Sequence, residues 1–409
     1  MDAKQLPVRP SLEQFRKQAK DLVKDRTSPQ ATQRIGKFHP RLKNLSESEI
    51  AAAKFSLADA QWIIACEHAF ESWPKFIKHI QEVVRSGSSV SKFELAADAI
   101  VSGDLPGLKK LLRDNPELIG VRSTRAHRAP LIHYVAANGI ENFRQKTPKN
   151  IVVITETLLA AGAEVDATGP SYSGGSTALG LAATSYHPAK AGVQLELLDV
   201  LLRAGASIDG APGGWNPLVA ALHNGRGEAA MFLAERGASL DLEGAAGTGH
   251  IDAMARYVND DATLKNGATR DQLNYGFIWA CEYGQTTAVK FLLDRDFQPD
   301  WDFLHGQTGL HWASLGGYAE IIELLLKLNP PVRAKDRIHG GTPLGWAVYG
   351  WENPAPEFKN RQHHEVVELL VRAGAIVDRE WINSPERGAS FGAKLRADPR
   401  MRRVLGLDK

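Results

Sequence analysis

The sequence predicts an all-α solenoid of stacked helix pairs, on three observations. The phrase Thr308-Gly309-Leu310-His311-Trp312-Ala313 returns as Thr342-Pro343-Leu344-Gly345-Trp346-Ala347 after 34 residues, a period that belongs to arrays of supersecondary units. Ile321, Leu324, Leu325 and Leu328 fall at the i, i+3, i+4, i+7 spacing of one buried helix face. With 409 residues the chain is too long for a single compact core, whereas a repeat array grows by addition.

Each residue type in the period has a physical role. Thr342 can cap a helix with its hydroxyl, and Pro343, with no N–H and a helical φ, fits the first helical position. Small residues Ala313 and Ala347 keep the first helix slim for its neighbour. Gly316-Gly317 ends that helix, because glycine adopts the left-handed conformation of a tight stop. After Asn329 the chain turns Pro-, Gly- and charge-rich, as an extended finger would. These residues resemble the ankyrin repeat and its T-P-L-H-x-A motif. The resemblance implies helix pairs with fingers on one side, and a His311 that ties neighbouring turns by hydrogen bonds.

Residues 1–86 precede the clear repeats. Ser11 and Ser28-Pro29 read as helix starts, and Ser56-x-x-Asp59 as a capping box before helices from Leu57 to about His68 and from Trp73 to about Val84. Lys and Arg exceed Asp and Glu by five in this segment. It resembles the leader of many bacterial ankyrin proteins and is assigned as a helical N-terminal cap. A basic docking helix for an acidic partner is the other reading.

From 87 to 378 the repeats align on Glu94, Ala129, Thr177, Asn216, Leu240, Tyr275, Thr308 and Thr342, giving eight. The 24-residue step from Asn216 to Leu240 predicts a missing finger. Residues 140–146, 186–193 and 351–362 are insertions between paired helices, which a solenoid places on one edge as a rim or lid. Residues 379–409 read as a C-terminal cap, with Asp398-Pro399 starting a last short helix.

Composition narrows the function classes. The net charge of +2 gives no field suited to nucleic acid or membrane. No stretch approaches the ~18 consecutive apolar residues of a membrane span, and MDAKQLPVRP lacks the apolar run of a secretory signal. Cys66 and Cys281 are too few for a disulfide framework or zinc cluster. The expectation is a cytoplasmic monomer with no metal and no cofactor.

The ankyrin resemblance implies binding through finger tips and the exposed ends of the first helices. In this sequence those positions give Thr184, Ser185, His223, Asn224, Thr248, Glu282, Tyr283 and Tyr349. The fingers add Tyr172, Trp215, Trp301, Phe303 and His305, with Arg125, His127, Arg337 and His339 further out. Aromatics beside Arg and His suit a protein partner held on the concave face. Trp279, Trp312 and Trp346 share one repeat position and read as a structural ladder. The alternative is an enzyme or receptor for a polar small molecule, sugar-like or another metabolite, with His223 or Glu282 as acid/base groups. No carboxylate is placed beside His223 by the sequence pattern, and His363-His364 is not expected to bind metal.

Overall fold

The computed structural model describes residues 3–353, 362–378, 380, 382 and 388–407. Among the described residues there is no strand; extended pairing is limited to isolated bridges such as Gly169 with Ser176. The chain divides into two compact units, residues 1–220 and 221–409, with the boundary inside the helix Pro217–His223.

Unit 1 begins with five helices, Leu12–Lys24, Pro29–Phe38, Glu47–Ala52, Leu57–Glu67 and Trp73–Val84. Phe15, Ala19, Ile35, Phe55, Ile63, Phe76 and Ile80 form their common core. Ser28 accepts the Ala31 N–H, and Ser56 and Asp59 complete the expected capping box. Ser11 departs from expectation: its side chain makes no capping bond. The helix Ser89–Ser102 follows them. The five helices are tied to the loop at residues 124–126 by Ala126 N–H to Ala69 O at 2.8 Å and by His79 Nδ1 to Thr124 Oγ1 at 2.6 Å.

The helices Ala178–Thr184 and Pro343–Glu352 start where the threonines predict. Thr177 Oγ1 accepts Gly180 N–H, and Thr342 Oγ1 accepts Gly345 N–H. Gly317, at φ 77°, closes Gly309–Gly316 in the left-handed conformation. Ile321 and Leu325 are fully buried on Ala319–Leu326, while Leu328 lies beyond that helix. His311 Nδ1 accepts Thr308 N–H, so its Nε2–H faces Gly341 O of the next finger at 3.2 Å. His133 makes the same link to Ala167 O at 2.7 Å. It does so from a 3₁₀ helix, Leu131–Ala136.

Four registers differ from the sequence alignment. Glu94 lies inside Ser89–Ser102, whose cap is Ser88, and the residue before Leu131–Ala136 is Pro130, not Ala129. The cap before Leu242–Gly247 is Asp241, whose Oδ1 accepts Gly244 N–H, not Leu240. Tyr275 is not a helix start: Thr269 and Gln272 form a capping box and the helix runs Arg270–Glu282. That longer helix places Tyr275 one turn before Trp279, on one face. Between Gly227–Glu235 and Leu242–Gly247 only residues 236–241 intervene, too few for a finger.

The insertions fare differently. In 140–146 the chain turns inward: Glu141 is fully buried and Arg144 nearly so. Arg144 binds Glu94 at 2.8 Å, Asp98 at 2.8 Å and Glu141 at 3.3 Å, and Arg125 reaches Glu94 at 2.5 Å and Glu141 at 3.0 Å. This segment is thus a buried ionic link rather than a free rim, and Arg125 and His127 belong to it instead of to an outer finger surface. Residues 186–193 form a short helix, Tyr186–Lys190. Most of 351–362, including Pro354 and Pro356, lies outside the described residues. At the C-terminal end Asp398 caps Pro399–Val404 and also meets His364 Nε2 at 2.7 Å and Trp351 Nε1 at 3.2 Å.

Candidate functional site

In unit 1, three of the expected binding residues cluster around Asn138 and the helix Ala178–Thr184. Tyr172 is 58% exposed and held at φ 53°, a conformation that costs a non-glycine residue energy and needs outside support. Its hydroxyl supplies that support by donating to Asn138 Oδ1 at 2.5 Å, and Asn138 Nδ2 donates to Thr184 Oγ1 at 3.0 Å. Trp215 is half-buried and its ring edge packs against Gly180, where an added Cβ would come within 2.9 Å of the ring. Ser185 is 2% exposed, its hydroxyl without a partner among the described residues. It therefore presents no nucleophile at the surface.

In unit 2 the chemistry gathers at one carboxylate that sequence reasoning missed. Glu243 is buried in the first turn of Leu242–Gly247, with His223 Nε2 at 2.6 Å from its Oε1. Trp279 Nε1–H donates to the same oxygen at 2.8 Å. The His223 ring lies 4.8 Å from Tyr275 and 5.0 Å from Trp279. Edge contacts continue the series: Tyr275 to Phe303 at 4.7 Å, Trp279 to Trp312 at 6.4 Å and Trp312 to Trp346 at 4.9 Å. Such tilted and T-shaped pairs are the preferred aromatic geometries. The cap-plus-two position of Glu243 was the signal available, but it appears only once Asp241 is recognised as the cap.

The remaining expected residues separate into scaffold and surface. Thr248 is buried and donates to Gly244 O at 2.6 Å, with His250 Nδ1 at 2.8 Å. Tyr283 lies over Gly227 and donates to Leu222 O at 2.7 Å. Glu282 is 4% exposed. These three do not line an open polar stripe. His223, Asn224, His305 and Tyr349 are exposed, and Trp301 and Phe303 are half-buried beside Asn274 and Ile278. His305 sits at φ 58°, and its carbonyl accepts Arg337 N–H at 2.9 Å. Arg337 also pairs with Asp302. Tyr349, Trp312, Trp346 and His339 line a cleft of about 1010 Å³ with Arg333, Leu344 and Ile376.

His363 Nε2 approaches Leu315 O at 2.9 Å and His364 pairs with Asp398. Both serve helix packing. Among the described residues no group of His, Cys, Asp and Glu is arranged to hold a metal, and no helix is long and apolar enough to cross a membrane.

Comparison with known proteins bears on this arrangement. Residues 242–336 and 277–381 match the family model of ankyrin repeats, in three copies. Residues 242–381 are therefore ankyrin repeats, and the helix pairs that carry the aromatic series fall within them. Such repeats are generally protein-interaction modules.

One curated relative, palmitoyltransferase AKR1 of Lachancea kluyveri, is 27% identical over 97 residues. The match covers 23% of this chain and only 13% of that protein. Two solved structures share 21% and 20% identity: the human ASB11 ankyrin repeat domain and the ankyrin repeat domain of Bcl-3. The first alignment covers 69% of this chain and 98% of that domain, with a TM-score of 0.34. The second covers 62% and 93%, with a TM-score of 0.31. At these scores the repeat assignment rests on the family match and on the caps and spacings above.

Proposed function

We propose that this chain is a binding module that holds a protein partner on the first-helix face and fingers of its repeats. Residues 1–86 and 379–409 act as end caps in this reading. The observation that carries it is the linked aromatic series of unit 2, running from Tyr275 and Phe303 through Trp279, Trp312 and Trp346, with Tyr349 54% exposed beside it. Trp279 and Trp346 are buried and back the series, while Tyr275, Phe303 and Trp312 are half-buried and Tyr349 is exposed. Aromatics fixed in this way lose little freedom on binding, and their composition is that of interface hot spots. In unit 1, Tyr172 and Thr184 add a second contact region joined through Asn138.

The acid/base alternative finds no support. Glu282 is buried, and the carboxylate beside His223 is Glu243, which also anchors an indole.

The test is selection of peptides on the full-length chain, followed by affinity measurement with Phe303→Ala and Tyr349→Ala. Each variant is expected to weaken the selected peptides about tenfold or more, the scale of a hot-spot truncation. Peptides that bind both variants with unchanged affinity would place the partner elsewhere.

A further inference from the structure

His223 occupies a place whose chemistry is more specific than a general aromatic face. Its ring is bounded by Tyr275 at 4.8 Å and 55° and by Trp279 at 5.0 Å and 66°, while its Nε2 lies 2.6 Å from Glu243 Oε1. The carboxylate is fixed beneath it, with a side chain 8% exposed and the Trp279 indole N–H as second donor. A planar group bearing N–H donors, set at a steep angle against two aromatic rings and pointing a donor at a buried carboxylate, is what this seat accepts. Within the chain the imidazole fills it.

We propose that the Tyr275–Trp279–Glu243 seat receives an arginine side chain of the partner, with His223 as a displaceable internal occupant; this deepens the binding reading above and rests on it. The guanidinium matches the seat better than the imidazole does. It is permanently cationic, it stacks on aromatic rings, and its fork of donors suits a carboxylate. Lysine offers a compact, strongly hydrated charge without the planar fork of donors that can meet Glu243 between the two rings. Displacement of His223 is sterically open, because its side chain is 38% exposed and lies at the end of its helix, before Gly225 at φ 68°. Asn224 beside it is exposed as well. The occupant is thus identified by charge complementarity to Glu243 and by the form of the group already seated.

The experiment titrates the full-length chain, labelled with fluorotryptophan, with two blocked tripeptides, Gly-Arg-Gly and its uncharged citrulline counterpart. Fluorine NMR reads the Trp279 resonance, assigned through Trp279→Phe. The arginine peptide is expected to bind about tenfold more tightly than the citrulline peptide, as a charge-assisted contact requires. His223→Ala, by removing the internal occupant, is expected to tighten arginine binding several-fold. Glu243→Gln keeps an acceptor for the indole and is expected to abolish the preference while leaving the Trp312 resonance in place.

Equal affinity for the two peptides, a preference that survives Glu243→Gln, or arginine binding that His223→Ala leaves unchanged or weakens would each overturn the proposal. If the tripeptides fail while Phe303→Ala still weakens selected peptides, the seat is refuted and the broader binding reading stands.

Discussion

Glu141 is fully buried, and its charge is tolerated because Arg125 and Arg144 lie 3.0 and 3.3 Å away. Glu94 shares both arginines. Burial alone would raise its carboxyl pKa, yet the two guanidinium groups hold it at about 2. Burial likewise acts against ionisation of Glu141, and Arg125, His127 and Arg144 overcome it, leaving that carboxyl low as well. Removing one member of such a set strands the others in a poor dielectric. Glu141→Ala is therefore expected to lower the stability of unit 1 by about 3–5 kcal/mol, the cost of an uncompensated buried charge. Urea unfolding followed by hydrogen exchange in residues 89–160 checks this; a loss below about 1 kcal/mol, the range of surface pairs, would show that the link is not integral.

Helix ends carry the next level of organisation. Asp398 caps Pro399–Val404 through Met401 N–H at 2.9 Å and gathers His364 and Trp351 onto the same carboxylate. Asp398→Ala is expected to cost about 1–2 kcal/mol, as loss of a helix cap does, and to raise amide exchange in residues 399–405 selectively. Uniform exchange along the chain would rule that selectivity out.

Elements were legible in the sequence where one residue decides them. Thr177, Thr342, Ser28 and Ser56 cap the helices they announced, and residues 236–241 leave out a finger as the 24-residue spacing implied. Where two signals competed, the reading slipped. Asp241, not Leu240, carries the capping oxygen, and the helix that holds Tyr275 begins at Arg270. The ionic link of Glu94, Arg125, Glu141 and Arg144 has no local signature, because its members come from three separate segments. For the same reason the neighbour of His223 became visible only in three dimensions.

At the scale of the whole molecule, buried histidines set the acid limit of the fold. Burial pushes His79, His133 and His311 down to about 4 from an ordinary value of 6.5, so each is neutral in the folded chain. The unfolded chain takes up protons on these groups below pH 6.5 and the folded one does not. Their stabilising contribution is complete above pH 6.5 and is lost as pH falls toward about 4. Glu94, depressed to about 2 from 4.5, extends the loss into stronger acid. Urea midpoints are expected to be flat above pH 7 and to fall progressively from pH 6.5 to 4; a midpoint that rises on acidification in this window would contradict the neutral-histidine assignment. With two compact units, residues 1–220 and 221–409, and with repeat stability built from neighbouring terms, the effect of Glu141→Ala should concentrate in the first.

The indoles of the repeats also have an optical consequence. Trp279, Trp346 and Trp351 donate their N–H groups to Glu243, Asp336 and Asp398, whereas the N–H groups of Trp312 and Trp215 are buried without an acceptor among the described residues. An excited indole beside a fixed carboxylate relaxes and quenches differently from one in a dry apolar contact. These five indoles are thus chromophores of two kinds, and Trp279 is the one whose carboxylate also holds His223.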